Sequence, residues 1–416
     1  MNRQLKRDTK VVCLADLERE GSRNLSKMIG EYYNEGAMDL ITLNDNKAAF
    51  DRYRLRPRLC RDVSEVDTSA AVWGAKSTIP VGFAPTAMHA MAHPDGEIAT
   101  SRAASRVGVP MILSHYSNSS IEDVVATGLS GGNPYAMQLC MVNDWDTNIS
   151  ILRRSERAGC KAFVLTLDTP SLGRRLNEHR NDFKLPEGLS FPNMPEDVDM
   201  RNMIQDDPRM TYKNSVSWDT VRTFIAATHL EVFLKGILTA EDALEALGTG
   251  AKGIIVSTHG GRQLDGAVSA LDALPAIVDA VAGRIKVHVD SGIRRGSDIF
   301  KALAIGADFC WVGRPAIWGL AYKGDEGVEL ALQLLRDELQ TTMSLCGCST
   351  VHDITRAHLG RLSSSGEFVP LQPRGKLLPE LHPAAKAEQI SQTTLSEKNK
   401  MMELESQVAR VRVTAV

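Results

Sequence analysis

From Ile79 to Val312 the chain repeats one pattern: a short apolar run, a break rich in Gly, Ser, Thr or Asp, and a stretch whose apolar positions recur at helical spacing. Apolar runs alternating with helix-period stretches predict βα units and a parallel sheet. Eight runs qualify: Pro80 to Ala84, Pro110 to Ser114, Ala136 to Cys140, Ala162 to Leu167, Val232 to Lys235, Gly253 to Ser257, Lys286 to Asp290 and Asp308 to Val312. Helices are predicted between them, among others at Asn148 to Ala158, Ala240 to Leu247, Leu271 to Val281 and Gly296 to Ile305. Eight such units predict an α/β fold, a closed (β/α)8 TIM barrel whose chemistry lies at the C-terminal strand ends. Polar residues fall at or just beyond those ends: Thr86, Ser114, Gln138, Thr166 with Asp168, Lys235, His259, Asp290 and Arg314. Each alone reads as a cap or a satisfied core group; one at every strand end reads as a site.

Two stretches break the pattern. The Pro-, Asp- and Asn-rich segment between Arg175 and Trp218 replaces a short βα connection, and long insertions at that face form lids or binding loops. From Leu362 the chain turns Ser/Pro/Gly-rich and then polar, with one short amphipathic helix predicted at Ser396 to Val411. The expected organisation is a catalytic barrel over residues 1–361 with an N-terminal helical extension and a lid insertion at about 176–218, followed by a flexible tail over 362–416.

Composition narrows the function. The 416 residues carry a formal net charge of −3 and no dense Lys/Arg block, which argues against nucleic acid as an obligatory partner. No apolar run approaches the roughly 18 residues of a membrane span, and no apolar signal core follows Met1 to Lys10. Seven scattered cysteines form neither a disulfide framework nor a spaced zinc site, so no metal is expected. The expectation is a soluble, cytoplasmic small-molecule enzyme; Val413-Thr414-Ala415-Val416 is not of the peroxisomal tripeptide type.

The densest chemistry lies in Ser257-Thr258-His259-Gly260-Gly261-Arg262-Gln263-Leu264-Asp265, directly after a buried-strand pattern. An imidazole and a guanidinium three residues apart, between glycines that allow close approach, supply a proton acceptor and a fixed cation. The segment Asp290-Ser291-Gly292-Ile293-Arg294-Arg295-Gly296, followed by Gly313-Arg314, reads as a phosphate site on the last two strands: backbone N–H groups in glycine turns point at an anion and Arg adds charge-assisted bonds. No Gly-x-Gly-x-x-Gly follows a strand, which argues against a Rossmann dinucleotide site. Lys235 fits either a Schiff-base nucleophile or the cation beside a flavin ring that gains negative charge on reduction. The paired His259 and Arg262 favour the flavin.

In these segments, and in Glu31-Tyr32-Tyr33, Ala84-Pro85-Thr86-Ala87-Met88, Ala92-His93-Pro94-Asp95-Gly96-Glu97, Gln138-Leu139, Leu165-Thr166-Leu167-Asp168-Thr169-Pro170, Leu172-Gly173-Arg174-Arg175 and Lys235-Gly236, the chain resembles the FMN-dependent α-hydroxy acid oxidase/dehydrogenase family from about Leu14 to Leu359. The resemblance implies FMN held by Ala84, Pro85, Thr86, Ala87, Ser114, Gln138, Thr166, Lys235, Ser257, Asp290, Gly292, Arg294, Gly313 and Arg314. It implies a substrate carboxylate gripped by Arg175 and Arg262 with a hydroxyl from Tyr32. His259 would be the general base for transfer of hydride or its electron equivalent from substrate C2 to the flavin, and Asp168 would orient its ring. A homotetramer is likewise implied.

Three positions depart from the family pattern. Cys140 stands where a Tyr is usual, Thr258 replaces an Asn before the His, and Tyr116 replaces the Trp of glycolate oxidases; Cys140 and Tyr116 belong to the expected substrate pocket. Loss of the phenol leaves a larger, less polar space. Ala87 matches the oxidases rather than mandelate dehydrogenase, pointing to reoxidation by O2 with release of hydrogen peroxide rather than by another acceptor. The expected reaction is oxidation of an L-2-hydroxy acid to the 2-oxo acid. The alternatives are an FMN oxidoreductase of a biosynthetic pathway acting on a bulky or unusual acid, and a flavin-binding protein of low activity. Retention of Tyr32, Arg175, His259 and Arg262 argues against the last.

Overall fold

Eight short parallel strands close into a barrel in a computed structural model that describes residues 6–129, 131–195, 197, 207–363 and 366–372. The strands are β1 (Val81–Phe83), β2 (Met111–Ser114), β3 (Tyr135–Cys140), β4 (Ala162–Thr166), β5 (Glu231–Ile237), β6 (Gly253–Val256), β7 (Lys286–Val289) and β8 (Phe309–Val312). Each pairs with its sequence neighbour and β8 closes on β1, with Cys310 opposite Val81 and Val312 opposite Phe83. All eight predicted runs therefore become strands, and their ends differ by one or two residues. The two-face burial of every strand but its edges explains why they read as continuous apolar runs rather than alternating ones.

Helices cover the outside. Trp145–Ala158, Ala240–Leu247, Ala270–Val281 and Gly296–Ile305 fall where helical spacing predicts them. Asp144 and Thr239 cap the first two with side-chain bonds to Thr147 N and Asp242 N, and Gly159 ends the first in a left-handed turn. The long final helix, Arg314–Cys346, is broken at Lys323 and Gly324 by non-helical backbone. Among the described residues no helix is long and apolar enough to cross a membrane.

The barrel interior is filled by side chains, as a packed core requires. Phe233, Phe309, Trp311, Val164 and Ile255 form an inner cluster, and a hairpin of Ala70–Val72 and Ala75–Ser77 adds Trp73, stacked on Trp311 with centroids 5.2 Å apart. This plug lies upstream of the repeat and left no periodic signal in a six-residue pair of strands. The crowding also explains a glycine inside a strand. A Cβ on Gly253 would lie 2.2 Å from the Phe233 ring, so a side chain there and that ring exclude one another.

The insertion after β4 is more structured than a plain loop. It opens with the helix Leu176–Arg180 and rests on the neighbouring loops. Asn193 donates to Ser117 Oγ at 2.7 Å and accepts from Ile121 N at 3.0 Å, while Asn143 N and Asp144 N donate to Thr211 O and Arg209 O. The expected tail boundary at 362 falls inside a hairpin: Leu359–Leu362 pairs with Tyr53–Leu55 on one side and with Phe368–Pro370 on the other. A three-residue strand of two apolar residues and a proline is too short for a period-two signal, so a Ser/Gly-rich turn before it read as the start of a tail. The predicted helix at 396–411 lies outside the described residues.

Candidate active site

A cavity open to solvent, of about 160 Å³, sits at the C-terminal ends of the strands. Of the residues expected to build a site, Tyr32, Ala84, Pro85, Thr86, Ala87, Ser114, Tyr116, Gln138, Cys140, Thr166, Arg175, Lys235, His259, Arg262, Asp290, Gly292, Arg294, Gly313 and Arg314 all line it. They come from the N-terminal helix Lys27–Asn34, from most strand ends and from the start of the insertion.

Two expected residues are not in the wall. Asp168 lies behind His259, its Oδ1 2.8 Å from the imidazole Nδ1. Ser257 is fully buried, and its hydroxyl accepts from Lys235 Nζ at 2.8 Å and from His259 N at 3.0 Å. Ser257 is the first residue past β6, and its hydroxyl turns to the buried ammonium on β5. Thr258 is also withdrawn. Its hydroxyl accepts from Asn46 Nδ2 at 2.8 Å and donates to Ser291 Oγ at 3.0 Å, so this departure from the family pattern does not reshape the cavity wall directly.

The His259 turn is held by a polar network. Ser291 Oγ donates to Asp290 Oδ1 at 2.7 Å and accepts from Gly260 N at 3.2 Å, and His259 itself sits at a φ of 55°, a left-handed value that a non-glycine residue adopts only when its surroundings hold it. Lys235 lies 3.5 Å from Asp290 and 4.0 Å from Asp168. Burial works against its charge, yet these two carboxylates raise its pKa. Asp168 is in turn held below the usual carboxylate range: burial opposes ionisation, but His259 and Lys235 outweigh it. Burial lowers the His259 pKa, with Asp168 resisting and Lys235 and Arg175 assisting, which leaves a neutral imidazole at neutral pH. Its Nδ1 therefore carries the proton shared with Asp168, and Nε2 is left as an acceptor.

Two guanidiniums flank the imidazole in the wall. Arg262 donates to Tyr32 O and lies over the Tyr32 ring, its Cζ 4.6 Å from the centroid. Arg175 donates to Arg262 O at 3.1 Å and to Gln263 Oε1 at 3.2 Å. Arg294 and Arg314 also line the cavity, both half-buried, and Arg314 donates to Tyr33 O, Gly260 O and Glu35 O at 2.7–3.0 Å. Burial and the neighbouring arginines push the Arg314 pKa down to about 9, and Arg294 Nε has no hydrogen-bond partner. Among the described residues neither forms an ion pair, and a half-buried cation without a counter-ion is unfavourable, so this part of the wall suits an anionic ligand group.

Several lining residues carried no usable signal in the sequence. Tyr212, from the end of the insertion, reaches the cavity because the insertion folds back to bridge Val142 just past β3. His115 is buried beside Gln138, Nδ1 to Oε1 3.4 Å, and burial pushes its pKa down to about 3, so it is neutral. Its position next to Ser114 at the end of β2 was the available clue. Burial pushes the Cys140 thiol up to about 11, and Gln138 Nε2 points at its sulfur from 3.3 Å. A protonated, enclosed thiol is a filler rather than a nucleophile.

Known proteins bear on this geometry. Residues 21–361 match the family described as FMN-dependent dehydrogenase. The chain is 45% identical over 359 residues to Oxidase FUB9 of Fusarium oxysporum f. sp. lycopersici (strain 4287 / CBS 123668 / FGSC 9935 / NRRL 34936), covering 86% of this chain and 93% of that protein. It is 46% identical over 344 residues to Glycolate oxidase 1 of Oryza sativa subsp. indica, covering 81% and 92%. A crystal structure of mandelate oxidase superposes with a TM-score of 0.77 at 40% identity, covering 83% of this chain and 97% of that one. With a barrel closed by eight parallel strands and a cavity lined by an imidazole and four guanidiniums, the chain belongs to the family of FMN-dependent α-hydroxy acid oxidases, and FMN is its cofactor.

Proposed function

We propose that the chain oxidises an L-2-hydroxy acid to the 2-oxo acid, with His259 as general base and Arg175 and Arg262 as the carboxylate grip. The observation that carries this reading is the neutral His259 imidazole, oriented by Asp168 at 2.8 Å, in the same wall as both guanidiniums. FMN suits the remaining wall: its phosphate would meet Arg294 and Arg314, which lack counter-ions, and its ring would lie along Ala84 to Ala87, Ser114, Gln138, Thr166 and Lys235, with Asp290, Gly292 and Gly313 closing the phosphate end. Ser257 would act through Lys235. Bound there, FMN supplies the two-electron acceptor for the C2 carbon.

The chain's own contribution is positional and electrostatic. Planar guanidinium forks match a carboxylate in two bonds and fix C2, with the Tyr32 hydroxyl as a further donor. His259 Nε2 takes the substrate proton, and the buried Asp168 carboxylate stabilises the imidazolium that results. Because the base is the neutral imidazole, activity is lost as pH falls through its pKa. The acid limb of kcat/KM is expected below about pH 6.5. Asp168→Asn removes the influence that raises that pKa, so the limb should move to lower pH while the plateau falls roughly 10²- to 10⁴-fold, the range expected when a base loses its orienting carboxylate. A limb that moves upward would count against the assignment.

The substrate is proposed to be bulkier than glycolate or lactate. Cys140, Tyr116 and Tyr212 line the cavity with a small thiol and two rings, centroids 6.3 Å apart, rather than with a phenol at position 140. Anaerobic mixing of the holoenzyme with a panel of hydroxy acids, read by flavin bleaching, tests this: preferential bleaching by long or aromatic acids supports it, and equal rates with glycolate count against it. Cys140→Tyr should raise turnover of the small acids. We further propose O2 as acceptor, on Ala87 in the wall, with hydrogen peroxide as the measured product.

A further inference from the structure

Arg175 and Arg262 share a resident counter-ion. Glu178 Oε1 lies 3.3 Å from Arg175 Nη1 and 3.2 Å from Arg262 Nη2, and all three side chains are largely buried. Among the described residues it is the one carboxylate paired with either guanidinium. It is not part of the cavity wall, so it backs the pair from the side of the insertion and leaves their inner edges to the cavity.

Its position follows from the local fold. Arg175 is the residue before the helix Leu176–Arg180, and a residue three positions on comes round to the same side after one turn. That helix is pinned to the one carrying Tyr32: Asn181 Nδ2 donates to Glu31 Oε2 at 2.5 Å, and the Phe183 ring stacks on Tyr32 with centroids 4.4 Å apart at 11°. These contacts fix the backbone that carries Glu178 beside the helix that carries Tyr32.

We propose that Glu178 is a positioning residue that acts through the two guanidiniums, reducing their joint charge from two to one, so that a single substrate carboxylate neutralises them and the 2-oxo acid product can leave. This rests on the proposed role of Arg175 and Arg262 as the carboxylate grip. Two buried cations facing one anion would hold product as firmly as substrate, and binding energy common to both slows turnover rather than helping it. Lys235 cannot play the complementary part, since Asp290 and Asp168 already balance it.

Glu178→Gln tests the charge while keeping an oxygen that both guanidiniums can share. Pyruvate, a 2-oxo monocarboxylate without a C2 hydrogen, is titrated into the FMN-loaded enzyme and followed by the flavin absorbance change. The variant should bind pyruvate tighter, on the order of tenfold for removal of one nearby buried charge, and should show a lower KM together with a lower kcat for its best hydroxy acid. Glu178→Met, which keeps the length and removes the charge, should also tighten pyruvate and covers the case in which the amide disturbs folding. A purely structural Glu178 would weaken binding in both variants, and unchanged or weaker pyruvate binding overturns the proposal. Arg262→Met separates the two levels. If it leaves pyruvate binding intact, the carboxylate grip itself is wrong; if it abolishes binding while Glu178→Gln matches the native enzyme, only the counter-ion role fails.

Discussion

His259→Ala is expected to retain yellow, FMN-loaded protein while losing at least a hundredfold in the rate of flavin reduction by substrate. General-base removal costs about 10²- to 10⁴-fold, and the upper part of that range is expected here because no other acceptor stands at the same place. His115 is the nearest substitute by chemistry, but it is neutral, enclosed and turned toward Gln138. FMN should stay bound because the residues proposed to hold it lie on other strand ends. Stopped-flow absorbance under anaerobic conditions separates the two properties: amplitude reports bound flavin and rate reports the base. A variant reduced as fast as the native protein would remove His259 from the chemistry.

Arg262→Met is expected to lower kcat/KM by roughly a thousandfold, through loss of charge-assisted bonds worth about 1.5–3 kcal/mol each. Methionine keeps much of the apolar stem and so limits the packing loss. The effect should appear in KM as well as kcat, because a carboxylate held by Arg175 alone is both weaker bound and free to tilt away from His259. The Tyr32 ring loses its cationic partner at the same time, a smaller term of about 0.5–2 kcal/mol. Steady-state kinetics over a wide range of substrate concentration decides it: a change confined to kcat, with KM intact, would mean that Arg262 contributes to the transition state without gripping the carboxylate.

Much of the fold was legible because its physics is local. Eight apolar runs such as Gly253-Ile254-Ile255-Val256 must be buried on both faces, and the amphipathic stretches between them can only lie outside. Much of the cavity was legible for a related reason: a closed parallel barrel brings all the C-terminal strand ends to one mouth, so Gln138, Lys235, His259 and Asp290 share it whatever the loops do. Side-chain direction beyond the strand ends was not legible. Ser257 and Thr258 adjoin His259 in sequence, yet both turn to buried partners, Lys235 on β5 and Asn46 of the helix Ile41–Arg52.

The sequence by itself determined the barrel and the gathering of the imidazole, its two guanidiniums and the Arg294 and Arg314 side chains at one mouth, because strand order and strand-end position suffice to bring those groups together. Tertiary structure alone decided what stands behind them. Tyr212 reaches the cavity through a long insertion, Trp73 plugs the barrel through a hairpin with no periodic signal, and Glu178 meets Arg262 across 84 residues of chain. Such contacts depend on how non-periodic segments pack against a finished scaffold, and no local pattern of apolar and polar residues encodes that packing.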